Sequence, residues 1–108
     1  MMIEFSILPV SEDAHLGKYI AAAVKIVHES GMKYRLTPMG TIIIGEWEPA
    51  MAVIRKCHEA VRQMSDRVMT RIKVDDAKDG ARLPEEKVKA VESLLGFQVK
   101  SSRRPSIL

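Results

Sequence analysis

Three histidines, one cysteine and a short run of aspartates are the residues of this 108-residue chain best suited to chemistry, and their spacing argues against most of it. His15, His28 and His58 share no i, i+4 spacing, so no helical pair is set to grip zinc. Cys57 and His58 are adjacent. Neighbours on a helix diverge by about 100 degrees, so thiol and imidazole would not face each other as nucleophile and base. Cys57 falls on an apolar helical stripe and reads as a small buried hydrophobe, while His28 reads as a partner of a helix C-terminal dipole. Asp75, Asp76 and Asp79 lack the alternation and the closing Glu of a calcium loop, so a solvated turn is the better reading. No acid–base pair, nucleophile or phosphate loop emerges, and the chain reads as a binder.

A binder needs a concave place with a few polar groups, and the stretch Leu36-Thr37-Pro38-Met39-Gly40-Thr41-Ile42-Ile43-Ile44-Gly45 offers one. Two β-type segments are joined by Pro-Met-Gly-Thr with almost no loop. Pro removes a backbone donor and Gly tolerates positive φ, so the chain must change direction there. Thr41 is a small polar residue left beside a sheet end. Trp47, the only tryptophan, follows the third strand and could anchor the next helix or stack on a flat ligand.

The elements that position these residues follow from periodicity. Residues 3–10 alternate as a first strand, with Ile3, Phe5 and Ile7 on one face. Ser11, Glu12 and Asp13 suit a helix start, and Leu16, Tyr19, Ile20, Ala23, Val24 and Val27 trace its apolar stripe up to Gly31. Residues 33–38 and 41–46 are expected as the second and third strands. Pro49 opens a helix with Ala50, Val53, Ile54, Cys57, Val61 and Met64 inward, and residues 67–74 alternate as a fourth strand. Pro84 begins a last helix, with Val88, Val91 and Leu95 inward and Gly96 closing it.

The order β-α-β-β-α-β with an added C-terminal helix predicts an α+β, ferredoxin-like sandwich: a four-stranded antiparallel sheet with helices on one face. The domain is expected over residues 1–96, with residues 97–108 a basic, flexible tail. The open sheet face would carry Glu4, Ser6, Leu8, Arg35, Thr37, Met69, Arg71 and Lys73. That mixture is too apolar to be wholly solvated, so self-association is expected.

Composition limits the rest. A chain 46% hydrophobic and 29% charged has material for one core, filled by aliphatics and seven Met because aromatics make up only 5%. The net charge of +3 lies partly in the tail, at Lys100, Arg103 and Arg104, rather than in a basic stripe, which disfavours nucleic acid. The third strand also lacks the aromatics on which an RNA-recognition motif stacks bases. One cysteine excludes an internal disulfide. No apolar run approaches the roughly 18–20 residues that span a bilayer, so a cytoplasmic protein without membrane partners is expected.

Read together, Pro38-Met39-Gly40-Thr41, Lys18-Tyr19-Ile20-Ala21, Ser6 and Pro9, His58-Glu59-Ala60 and the strand from Arg67 to Asp76 resemble the thiamine-binding protein family. This is the UPF0045 or MTH1187-like group related to YkoF, and the likeness runs from about Ile3 to Gly96. The resemblance implies a ferredoxin-like fold and homo-oligomers, dimers joined into tetramers. It also implies non-enzymatic binding of thiamine or its hydroxymethylpyrimidine part at an oligomer-interface pocket, with no other cofactor and no metal. It places Ser6, Thr37 and Thr41 near the pocket. His15, Met39, Glu46 and Trp47 complete the expected ligand-binding set. Three positions depart from the family pattern: Ile44 stands where an acid is usual, Ala14-His15 where Thr-Ser is usual, and Ala77 where an Arg is usual. The alternative from another class is a structural or regulatory oligomeric module without a small-molecule ligand.

Overall fold

The computed structural model describes residues 1–11, 15–80 and 83–100. The elements are β1 (Met2–Pro9), α1 (Gly17–Glu29), β2 (Lys33–Thr37), β3 (Gly40–Ile44), α2 (Trp47–Met64), β4 (Val68–Asp75) and α3 (Pro84–Leu95). The strands form one sheet in the order β2-β3-β1-β4, each neighbouring pair antiparallel. This is the ferredoxin-like plan with an extra C-terminal helix.

Strict alternation sorts the strand residues. Ile3, Phe5 and Ile7 of β1 and Thr41 and Ile43 of β3 are buried on one face. Against them pack Tyr19, Ala23 and Val27 of α1 and Ala50, Val53, Ile54, Cys57 and Val61 of α2. The two central strands therefore supply the aliphatic floor, and the helices cover it. The register puts Met2, Glu4, Ser6 and Leu8 on the opposite face with Arg35, Ile42, Met69, Arg71 and Lys73.

Two expectations need correction. The first helix begins at Gly17, with Leu16 at its N-cap and no side-chain cap, rather than at Ser11. Of the residues expected to start it, 12–14 lie outside the described residues, as does the tail from residue 101. More consequentially, α3 buries none of its residues, although Val88, Val91 and Leu95 have inward spacing. Val88 is half-buried, but Val91, Leu94 and Leu95 are exposed, as is Phe97 just beyond the helix. What ties α3 down is ionic. Glu85 pairs with Arg35 of β2, and Lys87 pairs with Asp75 of β4. Both partners belong to the open face, so the first turn of α3 crosses it.

Hydrogen bonding from its own backbone holds the Glu85 carboxyl below the ordinary glutamate range, helped by attraction to Arg35 and Lys33 and opposed by desolvation. A depressed folded-state value stabilises docking above the unfolded value and is lost as pH falls through the lowered one. Acidification from neutrality to about pH 3 is therefore expected to loosen α3 first. Hydrogen exchange corrected for intrinsic rates should show α3 amides losing protection while those of β1 and β3 keep theirs.

Candidate binding site

The site begins with the way β1 and β3 are laced. The Met1 ammonium donates to the Gly45 carbonyl at 3.0 Å, and the Gly45 N–H donates back to the Met1 carbonyl at 3.1 Å. Hydrogen-bonded pairs alternate in an antiparallel ladder, so Ile3–Ile43 and Phe5–Thr41 are the next two. On the other side, the Val10 N–H donates to the Arg67 carbonyl at 2.8 Å, which turns the even-numbered residues of β1 toward β4. Ile7 is thus the next residue facing β3. The ladder with β3 ends at Phe5–Thr41, because the chain turns away at Pro38 and Met39. Ile7, only 6% exposed, lies just past the last β1–β3 pair.

Two residues set this notch. A Cβ on Gly40 would lie 2.8 Å from the Phe5 carbonyl oxygen, so only glycine lets the end of β3 come this close to β1. The sequence reading credited Gly40 with positive φ. Among the described residues only Gly31, Gly80 and Gly96 adopt it, and close approach is the reason instead. Thr37 closes the turn: its hydroxyl donates to the Gly40 carbonyl at 2.8 Å and accepts from the N–H groups of Gly40 and Met39.

Between the notch and α1 lies a cavity of about 80 Å³. That is several times the 10–15 Å³, roughly, that one water requires. Phe5, Ser6, Ile7 and Leu8 form one wall, Ile20, Ala23 and Val24 of α1 another, and residues 36–41 the third. No lining residue is charged, and the wall is mostly aliphatic. Thr41, only 6% exposed, brings its side chain to the floor of this cavity. Leu8, Ile20, Leu36 and Met39 are exposed at the rim.

Of the residues singled out from sequence, Ser6, Thr37, Met39 and Thr41 line this cavity together. Glu46 and Trp47 do not. They follow the far end of β3, five residues or about 17 Å along the strand. Glu46 is the N-cap of α2, and Trp47, its first residue, is half exposed. Ile44 is at that far end too, paired with Met2 and Lys33, so its departure from the family pattern does not touch the cavity. His15 precedes α1 on the surface and is not in the lining. The reading missed Ile7 and the α1 wall. Ile20 and Val24 lie on the flank of the α1 stripe, and that flank position was the available signal.

The remaining candidates serve the fold. The Cys57 thiol donates to the Ala23 carbonyl at 3.3 Å, and burial pushes its pKa up to about 11. That keeps it a thiol and links α2 to α1. Nδ1 of His28 hydrogen-bonds the Tyr34 hydroxyl at 2.7 Å, and Nδ1 of His58 hydrogen-bonds Thr70 Oγ1 at 2.6 Å. Among the described residues no three of His, Cys, Asp and Glu gather as a metal site, and no helix is long and apolar enough to cross a membrane.

These features define a ferredoxin-like domain with a small uncharged cavity at the turn of its β2–β3 hairpin. The chain belongs to the thiamine-binding protein family, whose model matches residues 3–92. UPF0045 protein YqgV of Bacillus subtilis is 37% identical over 98 residues, covering 85% of this chain and 94% of its own. A UPF0045 protein of Methanothermobacter thermautotrophicus is 35% identical over 92 residues, 82% of this chain and 93% of its own. Among solved structures, protein MJ1052 of Methanocaldococcus jannaschii superposes with a TM-score of 0.76 at 29% identity, covering 83% of this chain and 93% of its own. TM0486 of Thermotoga maritima, a candidate thiamine biosynthesis or salvage protein, does so with a TM-score of 0.74 at 27% identity, covering 83% and 96%. The family takes its name from binding, not from a reaction.

Proposed function

We propose that this protein binds a small heterocycle, thiamine or its hydroxymethylpyrimidine part, without chemical change, in the cavity between β1, α1 and the β2–β3 turn. The observation that carries the reading is an uncharged, mostly aliphatic cavity into whose lining Thr41 brings a hydroxyl-bearing side chain. A ligand group that hydrogen-bonds this hydroxyl contributes about 0.5–1.5 kcal/mol. Aliphatic walls suit the faces of a flat ring, and the cavity's size suits one ring better than two. The pyrimidine would then sit inside and the rest of thiamine beyond the rim.

The exposed rim at Leu36 and Met39 and the open sheet face further support a homo-oligomer, a dimer or tetramer, in which a neighbouring copy completes the pocket mouth. Titration calorimetry with thiamine and with hydroxymethylpyrimidine is the test. Binding of the pyrimidine is expected, and Thr41→Val should weaken it about tenfold while the melting temperature changes little. Silence from both compounds, with the protein folded, would sink the proposal. A second reading, an oligomeric interaction module without a ligand, is favoured by α3, whose apolar residues find no cover in the single chain. It predicts that same silence.

A further inference from the structure

Sulfur is carried by seven methionines and one cysteine, and these differ sharply in access. Cys57 is wholly buried, and burial pushes its pKa up to about 11. Oxidants attack the thiolate, so this residue is withdrawn from their reach. Met1 is buried, and Met2, Met32 and Met51 are half-buried. Met64 and Met69 are 42% and 46% exposed, and an Arg71 guanidinium nitrogen lies 4.0 Å from the Met69 sulfur. Met39 is 84% exposed. It is also the one methionine in the lining of the cavity. The turn holds it there: the Met39 N–H donates to the Thr37 hydroxyl at 3.3 Å, while that hydroxyl donates to the Gly40 carbonyl. One thioether is therefore open to solvent and part of the wall at once.

We propose that Met39 is a reversible oxidation switch at the cavity mouth, converted by a peroxide to the sulfoxide, which weakens ligand binding. The thioether sulfur attacks the outer oxygen of the peroxide. An S–O bond forms as the O–O bond breaks, and sulfur gives up two electrons. The proton of the transferred oxygen passes to the departing one, which leaves as water or an alcohol. Reduction by a pair of thiols reverses the step, giving a disulfide and water. The sulfoxide is a polar group where an apolar one stood. Against an uncharged, mostly aliphatic wall, a bound ring would cover its oxygen without supplying a donor, and that is unfavourable. The inference rests on the binding function proposed above and adds its control by oxidant.

The wild-type protein is treated with dilute hydrogen peroxide, and each methionine is followed by mass spectrometry of its peptides. Met39 should gain oxygen at least about fivefold faster than Met64 or Met69. It should lose that oxygen again on treatment with the two epimer-specific methionine sulfoxide reductases and dithiothreitol. Thiamine titrated calorimetrically into the singly oxidised protein should bind at least about threefold more weakly than before, with affinity restored by reduction. In Met39→Leu, whatever its starting affinity, peroxide should leave that affinity unchanged. Oxidation of Met64 or Met69 as fast as Met39, as a second copy covering the rim would produce, overturns the inference. So does equal thiamine affinity before and after selective oxidation of Met39. Both of these results leave the binding function standing. No heat from thiamine with either form overturns the function and the switch together, while the peptide masses still show which methionine was oxidised.

Discussion

Gly40→Ala is expected to lower the stability of the domain by about 2–3 kcal/mol and to weaken ligand binding with it. The added methyl would sit 2.8 Å from the Phe5 carbonyl oxygen, closer than real Cβ contacts come. The obstacle is backbone in the central strand, not the tip of a flexible side chain, so β3 must move off β1. That motion strains the Phe5–Thr41 pair and shifts the Thr41 hydroxyl, the group offered to the ligand. Thermal denaturation and calorimetric titration of the same variant measure both losses. Gly17→Ala is the control: at the start of α1 a Cβ meets nothing within 4 Å, and alanine there should be neutral or stabilising by up to about 1 kcal/mol. Equal stability of the two variants would refute the close-approach account.

Ile43→Ala should be more damaging still, at about 3–5 kcal/mol. Ile43 has no exposed surface and lies between Tyr34 and Ile3 in the row that meets both helices. Small domains have only about 5–15 kcal/mol of net stability, so one such cavity removes a large share. Urea denaturation should show the midpoint falling with little change in slope. Its neighbour gives the contrast. Ile42 points to the open face and is half-buried, so Ile42→Ala should be far milder in an isolated chain. If a second copy covers that face, the two costs approach each other and the Ile42 loss becomes concentration-dependent.

What the sequence disclosed and what it concealed separate along physical lines. Periodicity found the strands and most of the α2 stripe, since burial of Ala50, Val53, Ile54, Cys57 and Val61 is a property of spacing. Met64, expected inward, is exposed where the helix ends beyond the core. The same spacing in α3 was misleading. Val88, Val91 and Leu95 repeat like core residues, but a stripe says only that a face is apolar, not that the same chain covers it. Thr37, Met39 and Thr41 share one cavity because the hairpin needs only local turn chemistry, and Ser6 of β1 joins them in its lining. Glu46 and Trp47 were grouped with them because they lie nearby in sequence, yet a five-residue strand carries them to the other end of the sheet. The place where the β1–β3 ladder stops was out of reach, since it is set by the close approach of Gly40 to Phe5.

The lone cysteine has a use beyond packing. Cys57 is wholly buried, bonded to a carbonyl on the neighbouring helix, and almost entirely protonated at neutral pH. A thiol reagent therefore meets it only when α1 and α2 part. Since the chain has no other cysteine, the labelling rate counts those openings directly. Without any engineered probe, the protein thus carries its own clock for helix separation, and slower labelling in the presence of a compound would report stabilisation of the closed helix pair.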